Sequence, residues 1–204
     1  GIMYGDNAYG DYPHYAPGQG DGKGGFAGWM LLSYRKPVTV SSVQEGRAAE
    51  AEGFDEWNRP QTSPDFCAAN LTDENGKTYW LAQSNSDKEW VVIDLEDDCT
   101  IHALQINYYD HQANLYGRIP GLCHRFTIEA SSDGENWTVI EDRSDSNVDA
   151  PNAYIELTLP IAARYIRYNN VKVPSNSLAI SEIRVFGRGS GEAPQQVSGL
   201  QVIL

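Results

Sequence analysis

Oxygen-bearing side chains crowd the stretch Asp73-Glu74-Asn75-Gly76-Lys77-Thr78. A short loop with Asp, Asn and Thr around a glycine can turn its backbone carbonyls inward and offer the roughly six to eight hard oxygens that calcium takes. The same residue types are also the commonest turn formers, so an ordinary solvated turn is the other reading. A second stretch, Asp110-His111-Gln112-Ala113-Asn114-Leu115-Tyr116-Gly117-Arg118, interleaves an aromatic ring with imidazole, amide and guanidinium groups. A sugar site asks for that mixture, an apolar ring face with a few fixed polar groups around it. Loops of this composition also pack against neighbouring domains or stay solvated, and a lone exposed histidine is usually a surface residue.

Carboxylates that could serve a glycosidase, which needs two, occur as Asp97-Asp98, Glu141-Asp142 and Asp145. They fall at strand ends and turns with no sign of convergence. No Gly-x-Ser-x-Gly elbow, no Cys/His pair in a recognisable context and no metal-hydrolase histidine motif accompanies them, so catalysis by this chain is not expected. The charge balance of 15 Lys+Arg against 28 Asp+Glu, net -13, argues against a phosphate backbone and against acidic lipid headgroups as partners. A neutral ligand or a cation fits better. No apolar run is long enough to span a bilayer, and Gly1-Ile2-Met3-Tyr4-Gly5 lacks the regions of a signal peptide. Cys67, Cys99 and Cys123 match neither a zinc site nor a disulfide framework and read as small semi-buried residues.

The elements that must position these loops read as strands. Residues 28–34 form an apolar run and 37–42 alternate apolar with hydroxyl side chains. From residue 90 short β-branched and aromatic runs recur at 90–95, 101–109, 126–130, 137–140, 154–159, 164–168 and 180–186. Turn chemistry such as Ser132-Asp133-Gly134 and Pro174-Ser175-Asn176 divides them. Residues 44–52 could make one short helix, but no sustained helical period competes, and the expected fold is all-β, an antiparallel sandwich with one core. Residues 1–28 read as loop, 188–194 as linker, and 197–202 as the opening strand of a following domain. Tyr79, Trp80, Trp90 and Trp137 read as core. Trp57 lies in an irregular polar stretch and could touch sugar, the N-terminal segment or an absent domain.

Five ordered motifs resemble the coagulation factor 5/8 type C, or discoidin, domain. They are residues 70–80, Glu89-Trp90-Val91-Val92-Ile93-Asp94-Leu95, Ser131-Ser132-Asp133-Gly134-Glu135-Asn136-Trp137, Ala163-Arg164-Tyr165-Ile166-Arg167 and Ser181-Glu182-Ile183-Arg184-Val185-Phe186-Gly187. The resemblance covers residues 37–187, and its bacterial branch includes the family 32 carbohydrate-binding modules. It implies a jelly-roll β-sandwich, galactose-binding-domain-like, with a structural calcium between the early loop and the last strand. Carried over residue by residue, Asp73, Asn75, Thr78 and Glu182 supply side-chain oxygens, and Asn70 and Ser181 supply backbone carbonyls. The resemblance also directs attention to Asp110, His111, Asn114, Tyr116 and Arg118 as the sugar-binding loop.

A shorter likeness precedes it. Gly10-Asp11-Tyr12-Pro13-His14-Tyr15 and residues 25–38 resemble the tail of a family 43 glycoside hydrolase. That likeness implies a remnant of the preceding enzyme domain at residues 1–36 and a catalytic partner in the same polypeptide. Its catalytic carboxylates would lie upstream. The combined expectation is a monomeric, non-catalytic module of a secreted, periplasmic or cell-surface bacterial enzyme, targeting it to plant cell-wall glycan such as xylan, arabinan or a galactoside. An interdomain structural brace or a protein-binding module, without affinity for free glycan, is the alternative.

Overall fold

The computed structural model describes residues 29–45, 53–54, 60–61, 65–111 and 121–190. Ten strands follow in order: β1 (Met30–Leu31), β2 (Val38–Val40), β3 (Gly53–Phe54), β4 (Pro60–Gln61), β5 (Trp80–Leu81), β6 (Trp90–Tyr108), β7 (Arg125–Ser131), β8 (Thr138–Asp142), β9 (Asn152–Lys172) and β10 (Ala179–Arg188). All pairings are antiparallel. β3 and β4 pair only with each other.

The two long strands build the sandwich because each serves both layers. Residues 91–93 of β6 pair with β2, and residues 100–108 pair with β10. β9 follows the same division, its second half lying beside the first half of β6 and its first half beside the second. The first layer is therefore β2, β6, β9, β7 and β8, and the second is β1, β10, β6 and β9, with β5 added to β10. Irregular register between Asp94 and Cys99 marks the bend of β6. Strands that change sheets at bulges are the usual way to turn such a corner. The sequence pattern divides each of these long strands into two runs, and the divisions mark these corners.

Alternation sets the core. Val91, Ile93 and Leu95 on β6 point inward, as do Ile166 and Tyr168 on β9 and Phe126, Ile128 and Ala130 on β7. Ile180, Ile183 and Val185 of β10 face them from the second layer. Leu32, next to β1, joins this core, and its N–H donates to the Val185 carbonyl at 2.7 Å. Residues preceding position 37 are thus built into the sheet that β10 completes. Gln44 and Glu45 lie outside any helix, while the remainder of the short helix expected at 44–52 falls outside the described residues, apart from the Gly53 strand that follows. The three cysteines are free, Cys99 and Cys123 being buried and Cys67 half-buried.

One buried carboxylate locks the loops at the start of β6. Glu89 is 5% exposed. It accepts hydrogen bonds from the Ser41 hydroxyl, from Ser42 at 2.6 Å and from Ser84 at 2.7 Å. Its backbone carbonyl takes the Asn170 N–H at 2.9 Å, tying the turn to β9.

Candidate functional site

A 3-10 helix, Ala68–Thr72, buries Asn70, Leu71 and Thr72 and delivers Asp73 at its C-terminal cap. Glu74 then adopts a left-handed φ of 59°, which reverses the chain. The loop closes on itself. Asp73 Oδ1 accepts the Asn75 N–H at 2.9 Å, and the Thr78 hydroxyl donates to Asp73 Oδ2 at 2.6 Å. Asn75 Oδ1 accepts the Lys77 N–H at 3.2 Å. The Asn70 amide braces the loop from below, donating to the carbonyls of Asp65 at 2.6 Å and Tyr79 at 3.0 Å. Its side-chain oxygen takes the Cys67 thiol at 3.6 Å.

β10 supplies the other half of this cradle. Glu182 is 2% exposed; its Oε2 lies 2.7 Å from the Arg184 guanidinium, and its Oε1 is buried without a hydrogen-bond partner. A second buried oxygen, Asn107 Oδ1, is likewise unpaired. Both orphans are acceptors, so these two oxygens lack a donor or cation even though Arg184 serves the other Glu182 oxygen, a deficit that is costly in a buried setting. Burial pushes the Glu182 carboxyl up to about 7, and the charges of Glu74 and Asp73 add to this while Arg184 opposes it. The register of β10 on β6 slips between Ile180 and Glu182, so Ser181 falls at an irregularity in the ladder. Its hydroxyl donates to the Asn107 carbonyl at 3.0 Å.

The potential donors are all oxygens. Among the described residues no group of three or more His, Cys, Asp or Glu side chains converges on a metal position. The cradle instead offers two carboxylates, from Asp73 and Glu182, with amide, hydroxyl and carbonyl oxygens. That is the hard-oxygen chemistry of calcium rather than the nitrogen and sulfur chemistry of zinc.

The expected sugar loop lies partly outside the described residues. Asn114, Tyr116 and Arg118 belong to that part, while Asp110 and His111 are seen at the end of β6. Asp110 is exposed. His111 folds back, and its Nδ1 is 2.9 Å from the Tyr79 hydroxyl. The Tyr79 ring stacks on Tyr109 at 4.0 Å between centroids, 10° from parallel. Phe66 meets Tyr79 at 5.0 Å and presents itself edge-on to His111 at 5.5 Å. Burial holds the His111 pKa below its ordinary value, so the ring is neutral at physiological pH. Burial, reinforced by Tyr109, raises that of Tyr79.

The result is an aromatic shelf with an uncharged imidazole at its edge. Tyr109, 37% exposed, presents its ring to solvent. Tyr79, expected in the core, is half-buried and packs with buried Phe66 against Leu81 and Ala179, while Tyr109 was not singled out in the sequence. Phe66 and Tyr79 come from a segment distant in sequence from the loop, and no local signal joins them. Trp80 is core, fully buried, with its indole N–H on the Ser42 carbonyl at 2.8 Å. Trp90 and Trp137 are not: both are partly exposed on the outside of the first layer. Trp57 lies outside the described residues.

The acidic pairs do not assemble into a catalytic site. Asp97 accepts from the Ser190 hydroxyl, Glu141 pairs with Arg143 at 2.7 Å, and Asp142 caps the Ser144 N–H at 2.9 Å.

A family model described as the F5/8 type C domain matches residues 54–198. The chain belongs to the F5/8 type C family. Solved structures share the fold of this discoidin-type domain at low identity. Chitosan-binding module 1 of a chitosanase/glucanase from Paenibacillus sp. IK-5 aligns with a TM-score of 0.55 at 20% identity, over 78% of this chain and 99% of its own. A CBM32 module of Clostridium perfringens, in complex with GlcNAc-α-1,4-galactose, aligns with a TM-score of 0.54 at 15% identity, over 79% and 96%. A pectin-binding carbohydrate-binding module aligns with a TM-score of 0.51 at 24% identity, over 75% and 91%. The discoidin-type domain therefore has the fold of a carbohydrate-binding module. An uncharacterised transmembrane protein of Dictyostelium discoideum is 39% identical over 62 residues, and the match spans 12% of that protein's length.

Proposed function

We propose that this domain is a non-catalytic glycan-binding module that holds a polysaccharide-degrading enzyme near plant cell-wall glycan, using the loop end of the sandwich. The observation that carries this reading is the shelf of Tyr79 and Tyr109, backed by buried Phe66, with His111 hydrogen-bonded at its edge. An exposed ring face receives the apolar side of a pyranose, and a neutral imidazole exchanges hydrogen bonds with hydroxyls at little cost in desolvation. Asp110, Asn114, Tyr116 and Arg118 would complete the site. Relatives in fold bind chitotriose, a GlcNAc-galactose disaccharide or pectin, which supports a glycan without choosing one. Such a function implies a secreted or cell-surface location, and the likeness of residues 10–38 to a family 43 hydrolase tail supports an enzyme partner in the same polypeptide.

Calcium belongs to this proposal as a structural ion. Asp73, Asn75, Thr78 and Glu182 would hold it through side chains, with the carbonyls of Asn70 and Ser181. When bound, it supplies the positive charge that the buried Glu182 oxygen lacks and fastens the early loop to β10. It activates no water here. A saturating structural ion contributes stability by mass action, about 2.7 kcal/mol at a hundredfold excess over its dissociation constant. Chelation is expected to lower the melting temperature of the wild-type chain, and Asp73→Ala to lower it and abolish the response to chelator. A variant that still responds to chelator would place the ion elsewhere.

The first test of function is a glycan array with calcium present, followed by calorimetry on xylan- and arabinan-derived oligosaccharides and galactosides. Binding that Tyr109→Ala or His111→Ala weakens about tenfold, with stability nearly unchanged, supports the module. Silence across the panel assigns the domain to bracing its neighbour, the reading that the entry of Leu32 into the core and of β1 into the sheet favours.

A further inference from the structure

The outer face of the first layer carries a shallow, open groove of 410 Å³, and none of the shelf residues lines it. Register builds its floor: Trp90 of β6 lies opposite Asn169 of β9, and Val92 opposite Arg167. Their sequence neighbours Val91, Ile93, Ile166 and Tyr168 are buried, so these four point out. Trp137, just before β8, forms one wall, with the Arg167 guanidinium 4.1 Å from its ring centroid. Tyr165 and Asp133 bound the groove further along β9.

The polar groups are fixed before any ligand arrives. Glu129 grips Arg167 at 2.5 Å and accepts the Asn169 amide at 2.7 Å. Burial tends to raise the Glu129 carboxyl, but hydrogen bonds from Arg167 and Asn169 hold it below its ordinary value, so the pair stays ionised and mutually neutralised. Asp133 is occupied within its own turn, accepting from the Glu135 and Asn136 N–H groups at 2.8 and 2.7 Å. Among the described residues the indole N–H groups of Trp90 and Trp137 have no protein acceptor, in contrast to Trp80.

Resting on the reading of the domain as a glycan binder, we infer that this groove is a second binding site, for an uncharged, extended polysaccharide chain. Ring surfaces with indole donors and a locked amide match sugar faces and hydroxyls. The internally neutralised ion pair leaves no charge to recruit an anionic ligand. The volume lies in the range of about 300–1,000 Å³ typical of ligand pockets. A single sugar in an open groove buries little of its surface, and a chain laid across the strands buries more. Preorganised side chains reduce the ordering cost of holding it.

The test follows the five indole N–H resonances by NMR while the intact, calcium-loaded chain is titrated with xylohexaose and with cellohexaose. Signals of Trp90 and Trp137 are expected to move, that of Trp80 to stay, and the movements to persist in Tyr109→Ala. Trp137→Ala should weaken this component about tenfold. If that variant misfolds, the wild-type titration still decides. Binding that moves neither the Trp90 nor the Trp137 signal, or indole movements that vanish in Tyr109→Ala, would overturn the groove. So would failure of both hexasaccharides to bind. Galactosides or arabinan fragments that still bind the shelf would then leave the proposed function standing alone.

Discussion

A buried carboxylate usually needs a cation, and Glu89 is held by three hydroxyls instead. Burial works to raise its pKa, but hydrogen bonds from Ser41, Ser42 and Ser84 outweigh this and hold it below the ordinary 4.5. A folded pKa lower than the unfolded one contributes stability that is fully present above the unfolded value and lost as pH falls through the folded one. Glu89→Gln, which exchanges an acceptor for a donor, is expected to cost about 1–3 kcal/mol near neutral pH. Urea titrations of both proteins at neutral pH and on acidification below 4.5 should show that difference shrinking. A difference independent of pH would remove the charge from the explanation. Individual residues also show what the sequence disclosed. In Trp90-Val91-Val92-Ile93-Asp94-Leu95 the salt-bridged Asp94 shares a face with Trp90, so strand parity alone puts that indole outside. Reading every strand tryptophan as core overlooked that parity. The shelf offered no such clue, because stacking of Tyr79 on Tyr109 depends on tertiary folding.

At the scale of elements, strand existence was legible and strand continuity was not. Alternating apolar residues marked both halves of β6 and β9, but Glu96-Asp97-Asp98 and Leu159-Pro160 look like the ends of strands. Glu96-Asp97-Asp98 is a corner, where polar residues ride outside while the chain passes from one layer to the other. Exposed Leu159, 79% accessible, belongs to a bulge of β9 between Glu156 and Ile161, within the second layer. The closing strand shows how tightly the layers are fitted. A Cβ on Gly187 would lie 2.0 Å from the Thr100 carbonyl oxygen, a backbone atom that cannot rotate away. Gly187→Ala is therefore expected to destabilise by about 1–3 kcal/mol or more through forced separation of β10 from β6, measured by chemical denaturation. A neutral outcome would show that the register irregularity beside it absorbs the methyl group.

Across the whole molecule the net charge of -13 separates two kinds of binding. The proposed calcium would enter a negative field, so its affinity should fall as salt screens that field. The shelf pairs rings with a neutral imidazole, so sugar affinity should change less than about twofold between low and high salt once calcium is saturating. Calorimetry at two ionic strengths distinguishes them, and a steep salt dependence for sugar would point to charged groups outside the described residues as the principal contacts.

β10 also governs when the domain can exist at all. It stands between β1 and β6 and carries β5, yet it is the last strand of the described fold. On the ribosome, the 100–108 edge of β6 waits for its partner through the synthesis of the intervening eighty or so residues. The second layer cannot close before β10 emerges, and until then the buried face of β6 that carries Leu104 and Ile106 lacks its cover; non-local pairing of this kind folds slowly.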